Sequence, residues 1–169
     1  MRKTAFVLAV FVALIAAPAA PGRAAEAIRA RDVLPAEGLV PSSVAAIRSQ
    51  AALNTHYYLA DEAVLGLGRK TDAVFARYRT DAGEALLLVV AYPSVEEAGH
   101  VYGRFGGDFF SESFDPMSPR VVEAIEAGAW AGAARKGRFL IVVLEAPDKA
   151  ACDGLLRRAE DKAPAVKAK

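Results

Sequence analysis

Residues 72–92 limit most strongly what this chain can fold into, because they hold two adjacent segments with strand patterning. In DAVFARYRT, at residues 72–80, Val74, Ala76 and Tyr78 occupy every second position, as in a strand with one buried face. EALLLVVAY, at residues 84–92, is almost wholly apolar, which predicts a strand buried on both faces or at the centre of a sheet. Asp81-Ala82-Gly83 supplies turn residues between them. The pattern predicts a β-hairpin.

A helix is predicted directly after this hairpin, in PSVEEAGHVYGRFGG at residues 93–107. Ser94 and Glu97 have the spacing of a capping box. Apolar side chains then recur at helical spacing, at residues 95, 98, 101, 102 and 105. Because two glycines follow this stripe, Gly106 or Gly107 is predicted to close the helix in the left-handed conformation.

The last third of the chain shows strand patterning again, in VVEAIE, WAGAAR and RFLIVVLEA. Turn residues at 127–128 and 136–137 separate these segments, which predicts a three-stranded meander. Residues 119–127 stay open between strand and helix, since Ser118-Pro119 also suits the start of a helix. Completion of the meander favours the strand. Asp148 is predicted to cap a final helix.

A further helix is predicted before the hairpin, in VAAIRSQAALNTHYYLADEAVLGLG at residues 44–68, because residues 53, 57, 60 and 64 share one helical face. Gly66 and Gly68 would end it. Strands joined by tight turns must be antiparallel, and their apolar face needs helices to cover it. We therefore predict an α+β fold: one mainly antiparallel sheet of about five strands, covered by a layer of two or three helices.

The first residues indicate export. Arg2 and Lys3 precede an uncharged apolar core at residues 5–17, which is too short to span a bilayer, and small residues suited to cleavage follow. We predict a signal peptide at residues 1–25, cut between residues 19 and 27, with an uncleaved anchor as the alternative. An extended lead-in at residues 26–43, a single domain at residues 44–162 and a disordered tail at residues 163–169 complete the predicted organisation. The predicted location is the periplasm or the extracellular space.

Composition excludes several classes of protein. Loss of residues 1–25 would remove three cations and lower the formal net charge from +1 to −2, without the basic excess typical of nucleic-acid binding. Cys152 is the only cysteine, so neither an internal disulfide nor a cysteine-based zinc site can form. Stability is therefore expected from core packing.

The glycine-rich stretch HVYGRFGGDFFSESFDP, at residues 100–116, does not fit a ligand motif. Its glycines end a predicted helix, whereas a phosphate loop begins one. Asp108, Glu112 and Asp115 do not have calcium-loop spacing. The two histidines, His56 and His100, do not share a helical face as metal ligands would. We predict no cofactor, no metal and no catalytic residue.

Two groups of residues are candidates for binding. Arginines on the hairpin, with Arg135 and Arg138 as possible companions, suit an anionic ligand because guanidinium groups bind anions in bidentate fashion. The first candidate group, for a small ligand, is Arg77, Arg79, Tyr78, Tyr57 and His100. The second candidate group is an interaction loop formed by Phe109, Phe110 and Phe114, which lies in a long irregular segment of the kind that often contacts other molecules.

LNTHYYLADEAVLGLG, TDAVFARYR, LLVVAYPSVEEAGHVYGRF and WAGAARKGRFLIVVLEA together resemble a family of uncharacterised exported bacterial domains, over residues 50–160. In that family a helix leads into a hairpin, a second helix and a Trp-x-Gly hairpin. The resemblance implies an α+β fold and export. It implies no activity, because it carries no catalytic or binding residues.

The sequence therefore favours an exported, non-enzymatic domain that binds a partner protein or a small ligand in the cell envelope. The alternative is an anion- or small-ligand-binding domain with enzymatic activity, which would use an arginine-lined face of the sheet. The two predictions differ in what the fold must show. The alternative needs a cleft where the arginines, tyrosines and a histidine converge, and a docking role needs exposed aromatic side chains on a flat face.

Overall fold

The computed structural model describes residues 28–110, 114–126 and 128–164. The predicted signal peptide, its cleavage region, Glu112 and the last five residues of the predicted tail lie outside these ranges. Within them, no helix has the length and apolar character needed to cross a membrane.

The described residues form an α+β fold with one antiparallel sheet of six strands and three α-helices, which confirms the predicted fold class. The strands are β1 (Ala45–Ile47), β2 (Asp72–Thr80), β3 (Gly83–Ala91), β4 (Arg120–Glu126), β5 (Ala129–Lys136) and β6 (Phe139–Ala146). The helices are α1 (Gln50–Asn54), α2 (Val95–Phe109) and α3 (Lys149–Lys162). The strand order is β1-β2-β3-β6-β5-β4, so β3 and β6 are central.

The predicted hairpin and meander are both present. Strands β2 and β3 pair from Asp72 opposite Ala91 to Thr80 opposite Gly83. Strands β4, β5 and β6 pair in sequence, and β6 returns to pair with β3. Residues 119–127, for which the sequence left strand and helix open, contain a strand from residue 120 to 126.

The helices cover both faces of the sheet, whereas the sequence predicted a single helical layer. On the first face, α3 and the residues from 30 to 34 pack on the sheet. On the second face, α2 and residues from 47 to 67 do so. The reason is that β3 and β6 present apolar side chains on both sides, such as Leu87 and Val143 to the first face and Leu88 and Val142 to the second. Each apolar face must be removed from water.

The helix predicted over residues 44–68 is wrong. That segment contains β1, the five-residue α1 and an irregular stretch that includes Gly66, which has a φ of +57°. Ser49 caps α1, and the side chain of Asn54 then bonds to the backbone of Leu59 and Ala60. A side chain that bonds to nearby backbone competes with helix continuation. β1 is also the strand that raises the count from about five to six.

The predicted end of α2 is also wrong. The helix continues through Gly106 and Gly107 to Phe109, and neither glycine has a positive φ. The start is as predicted, with the Ser94 hydroxyl accepting a hydrogen bond from the Glu97 N–H. Gly106 serves packing, because the ring of Phe114 lies directly against it. Asp148 caps α3 as predicted, accepting from the Ala151 N–H at 2.7 Å.

The lead-in is more structured than the extended segment predicted at residues 26–43. It contains two short 3-10 helices, Ala30–Val33 and Pro41–Ser43, and it packs on the first face through Val33 and Leu34. The buried hydroxyl of Tyr78 donates to the carbonyl of Pro35 at 3.0 Å. Burial therefore raises the pKa of Tyr78 well above its usual range.

Candidate functional site

Two β-bulges lie at one end of the sheet. Between Val143 and Ala146, β6 has one more residue than β5, and its pairing with β3 shifts at the same place. A second shift adds one residue to β4 between Ala124 and Glu126. We call this end, where β4, β5 and β6 meet at these shifts, the bulged end. Bulges re-aim side chains and are frequent beside functional sites.

A cleft of about 530 Å³ opens on the second face at the bulged end, and we call it the cavity. Its volume lies in the range of small-molecule pockets, roughly 300–1,000 Å³. The sheet forms its floor, the C-terminal half of α2 forms one wall, and residues 57–59 form another. The described residues that line it are Tyr57, Leu59, Phe105, Phe109, Phe110, Glu123, Ala124, Ile125, Ala129, Ala131, Val142, Val143, Leu144 and Glu145.

The cavity exists because small side chains face it from β5. Ala129 and Ala131 line it where a larger residue would fill the space between the sheet and α2. Ala131 pairs with Glu123 on β4 and lies beside the apolar side chains of Val142 and Leu144 on β6. The alanine-rich strand therefore leaves an apolar floor open to the wall of α2.

The α2 wall is aromatic. The ring of Phe105 stacks on that of Phe109, with centroids 4.7 Å apart, and meets Phe110 edge-on at 6.0 Å. Phe114 packs behind this wall, with its ring edge-on to Tyr102 at 5.4 Å. Such contacts between rings favour these relative orientations, so the rings form one aromatic surface.

The opposite wall is held by one amide side chain. The Asn54 Nδ2 donates to the carbonyl of Ala60 at 2.8 Å, and its Oδ1 accepts from the Leu59 N–H at 3.3 Å and from Gln50 Nε2 at 3.0 Å. The Tyr57 hydroxyl donates to the carbonyl of Leu144 at 3.4 Å, which ties this wall to the floor.

Two carboxylates border the cavity. Glu123 is two residues from Val121, which packs on the second face, so strand alternation places Glu123 on that face as well. Glu145 is opposite Leu86, whose side chain also packs on the second face. The bulge in β6 thus lets both Leu144 and Glu145 line the cavity.

The candidate ligand group Arg77, Arg79, Tyr78, Tyr57 and His100 is not brought to one place. Arg77 is exposed and pairs with Glu84 at 3.2 Å. Tyr78 lies on the first face, opposite to the side of the sheet that carries the cavity. Arg79 borders a separate groove with Glu37 and Asp148. Of these five residues, Tyr57 alone is among those that line the cavity in the described part of the chain.

The other candidate cations are remote from Arg77. Arg135 and His100 share a shallow groove beside α2, and Arg135 lies over the Tyr102 ring at 5.9 Å. Arg138 donates to the carbonyls of Tyr92 and Ile28 at the opposite end of the sheet. Arg135 pairs with Leu140, which pairs with Val90 on β3. Arg77 pairs with Leu86, which is four residues from Val90 along β3, or roughly 13 Å of strand. No single arginine face results among the described residues. His56, the other histidine, stacks on Phe75.

The predicted interaction-loop aromatics are folded inward. Phe109 ends α2, Phe110 caps it, and Phe114 follows; all three are half-buried and pack on the core of the second face. Phe109 and Phe110 line the cavity. Sequence reasoning missed Glu123, Glu145 and the alanines of β5. The available signals were the one charged residue in the apolar run FLIVVLEA, at residues 139–146, and the alanine content of WAGAAR.

The described residues show no group of three or more histidine, cysteine, aspartate and glutamate side chains arranged to hold a metal ion. Cys152 is wholly buried on the side of α3 that faces the sheet, and burial raises the pKa of its thiol to about 12, which disfavours the reactive thiolate. Comparison of the chain with models of protein families, with curated proteins and with solved structures found no match in any of the three.

Replacement of Asn54 is expected to loosen the wall that carries Tyr57 and Leu59. Asn54→Ala leaves the Leu59 N–H and the Ala60 carbonyl without their side-chain partner, which should cost about 1–2 kcal/mol. Limited proteolysis should then cut faster within residues 55–68, because local opening requires less free energy. Thr55→Ala is the matched control, since its exposed hydroxyl bonds only to Ala52 within α1. Equal protease resistance in both variants would contradict the role of Asn54.

Proposed function

We propose that this protein is an exported, non-enzymatic domain that binds a small, mainly apolar ligand in the cavity at the bulged end of the sheet. The cavity itself is the observation that carries the proposal. It combines a suitable volume, an apolar floor and an aromatic wall, which is the usual composition of a small-molecule site.

Packing of the lining against the core supports a binding role. The floor consists of strands in the sheet, and the aromatic wall is held by ring contacts with the buried side chains of Phe105 and Tyr102. A site whose walls are already in place loses little conformational entropy when a ligand enters. The two bulges also support a binding role, because bulges are frequent beside functional sites and both lie at the end of the sheet where the cavity opens.

Export is proposed from residues 1–25, whose short cationic start, apolar core and small residues fit a secretory signal peptide. The envelope or the extracellular space is therefore the proposed place of binding. A non-enzymatic role is proposed because the cavity joins aromatic and aliphatic side chains to two carboxylates without an adjacent histidine or reactive thiol among its described lining residues. The arginine-based alternative is set aside, since Arg77, Arg135 and Arg138 lie apart in the sheet.

Phenylnaphthylamine, a neutral apolar fluorophore, tests this proposal directly. Its fluorescence should rise on addition of the purified protein, because the dye enters an apolar site. Ala131→Leu should abolish most of this rise, since the added side chain extends from the floor into the cavity. Thermal unfolding of the variant checks that the fold is kept, and Ala129→Leu provides a second filling variant at the rim.

Ala46→Leu is the matched control, because Ala46 is exposed on β1 and is not among the described residues that line the cavity. It should leave the fluorescence rise unchanged. A rise that survives in both filling variants would place the dye elsewhere, and no rise with the wild-type protein would refute the proposal.

A further inference from the structure

We propose that the cavity selects organic cations: ligands with an apolar body and a single amine or quaternary ammonium head. This inference rests on the proposed function, because it names the ligand class for the same cavity. It comes from the charge of the lining, the position of the carboxylates and the aromatic wall.

The charge of the lining is one-sided. Of the described residues around the cavity, Glu123 and Glu145 carry carboxylates, and none is lysine, arginine or histidine. Arg77 lies in the same row of the sheet as Glu145, with Leu86 between them, but its guanidinium bonds to Glu84 at 3.2 Å. A cleft with low-dielectric walls and charges of one sign concentrates ligands of the opposite sign.

The carboxylates flank the apolar floor. Glu123 is on β4 and Glu145 is on β6, so the two backbones are separated by two strand spacings, roughly 10 Å. Ala131 lies on β5 between them. An apolar body on this floor would lie between two negatively charged side chains, whose field attracts a cationic head. An anionic head would be repelled at both sides.

The aromatic wall favours the same ligand. Phe109 and Phe110 line the cavity together with Phe105, and Tyr57 faces it from the other wall. The face of an aromatic ring attracts cations, and quaternary ammonium groups are the ligands that aromatic sites bind most characteristically. The rings also remove the apolar body from water, so one site binds both the cationic head and the apolar body.

The test uses three probes that share an octyl chain and differ in the head: octyltrimethylammonium, octanol and octanoate. Each is titrated against the protein carrying bound phenylnaphthylamine, and displacement of the dye is measured. The cation should displace the dye at about tenfold lower concentration than octanol, a difference worth ~1.4 kcal/mol, and octanoate should need a higher concentration than either.

Carboxylate variants then locate the preference. Glu123→Gln and Glu145→Gln should each reduce the advantage of octyltrimethylammonium over octanol by about threefold, and the double variant should remove it. The dissociation constant of the neutral dye is measured for each variant, and the displacement by each probe is compared after correction for it. Glu37→Gln is the matched control, because Glu37 is exposed on the lead-in and does not border the cavity among its described lining residues.

The outcomes separate this inference from the proposed function. If the dye binds and Ala131→Leu prevents it, but the three probes displace it equally or octanoate does so best, the cavity is a binding site and its preference for cations is refuted. An advantage of the cation that persists in the double carboxylate variant would also overturn the inference, since the charge would then come from elsewhere. Failure of the dye to bind refutes the proposed function itself.

Discussion

Alanine at two adjacent glycines of α2 should change stability in opposite directions. A Cβ on Gly106 would overlap three ring atoms of Phe114, so the ring must leave its place. Loss of its packing should exceed the gain in helix propensity and destabilise Gly106→Ala by about 1–2 kcal/mol. Gly107 has no heavy atom near its Cβ position and is exposed, so Gly107→Ala should be stabilising by about 0.5–1 kcal/mol.

Urea unfolding followed by far-UV circular dichroism measures this difference. A double-mutant cycle gives the cause, because Phe114→Ala removes the ring that blocks the Gly106 Cβ. In the Phe114→Ala background, Gly106→Ala should become stabilising, as Gly107→Ala is in the wild type. If Gly106→Ala and Gly107→Ala have the same effect in the wild-type background, the ring of Phe114 does not pack on α2 as described.

Those elements of the fold that depend on local patterning were predictable. The hairpin of β2 and β3 joins two segments through the two turn residues Asp81 and Ala82, and the meander of β4, β5 and β6 is likewise local in sequence. The helix caps at Ser94 and Asp148 were predictable for the same reason, since each involves a residue three positions away.

The errors arose where specific contacts that apolar periodicity does not reveal decide the structure. The three residues of β1 become a strand only by pairing with β2, at Ala45 opposite Phe75. Asn54 ends α1 through bonds to the backbone of Leu59 and Ala60, which periodicity in apolar residues does not reveal. Gly106 was interpreted as a conformational stop, whereas its role is to leave room for Phe114.

The candidate site was partly visible in the sequence. Tyr57, Phe109 and Phe110 were singled out as candidates, and all three line the cavity. The cavity itself depends on a lack of side-chain volume at Ala131 and on bulges in two strands. Such shifts of register are set by the whole sheet, so an apolar strand sequence does not specify where they fall. For that reason Glu145, although it is the one charged residue in its strand, could not be assigned to a face.

Gly132→Ala should be the most destabilising of the glycine replacements considered. A Cβ at this position on β5 would lie 2.7 Å from Leu156 Cδ1, 2.9 Å from the carbonyl oxygen of Val121 and 3.1 Å from Cys152 Sγ. The leucine can change rotamer, but the carbonyl belongs to the backbone of the paired strand β4 and cannot move without distorting the sheet. We expect a loss of about 3 kcal/mol, the upper part of the usual range for an overpacked core.

Cys152 provides a direct measurement, because it is the only cysteine and it is wholly buried on the side of α3 that packs on the sheet. An aromatic disulfide reagent reacts with the exposed thiolate, so the labelling rate of the folded protein reports how often α3 leaves the sheet. If Gly132→Ala weakens that packing by about 3 kcal/mol, labelling should accelerate by about a hundredfold. Gly68→Ala is the control, since its Cβ would meet open space and should leave the rate unchanged.

The double variant with Leu156→Ala should be less destabilised than the sum of the single variants, yet not restored, because the clash with Val121 remains. Labelling of Gly132→Ala at the wild-type rate would show that α3 does not pack on β5 at this glycine.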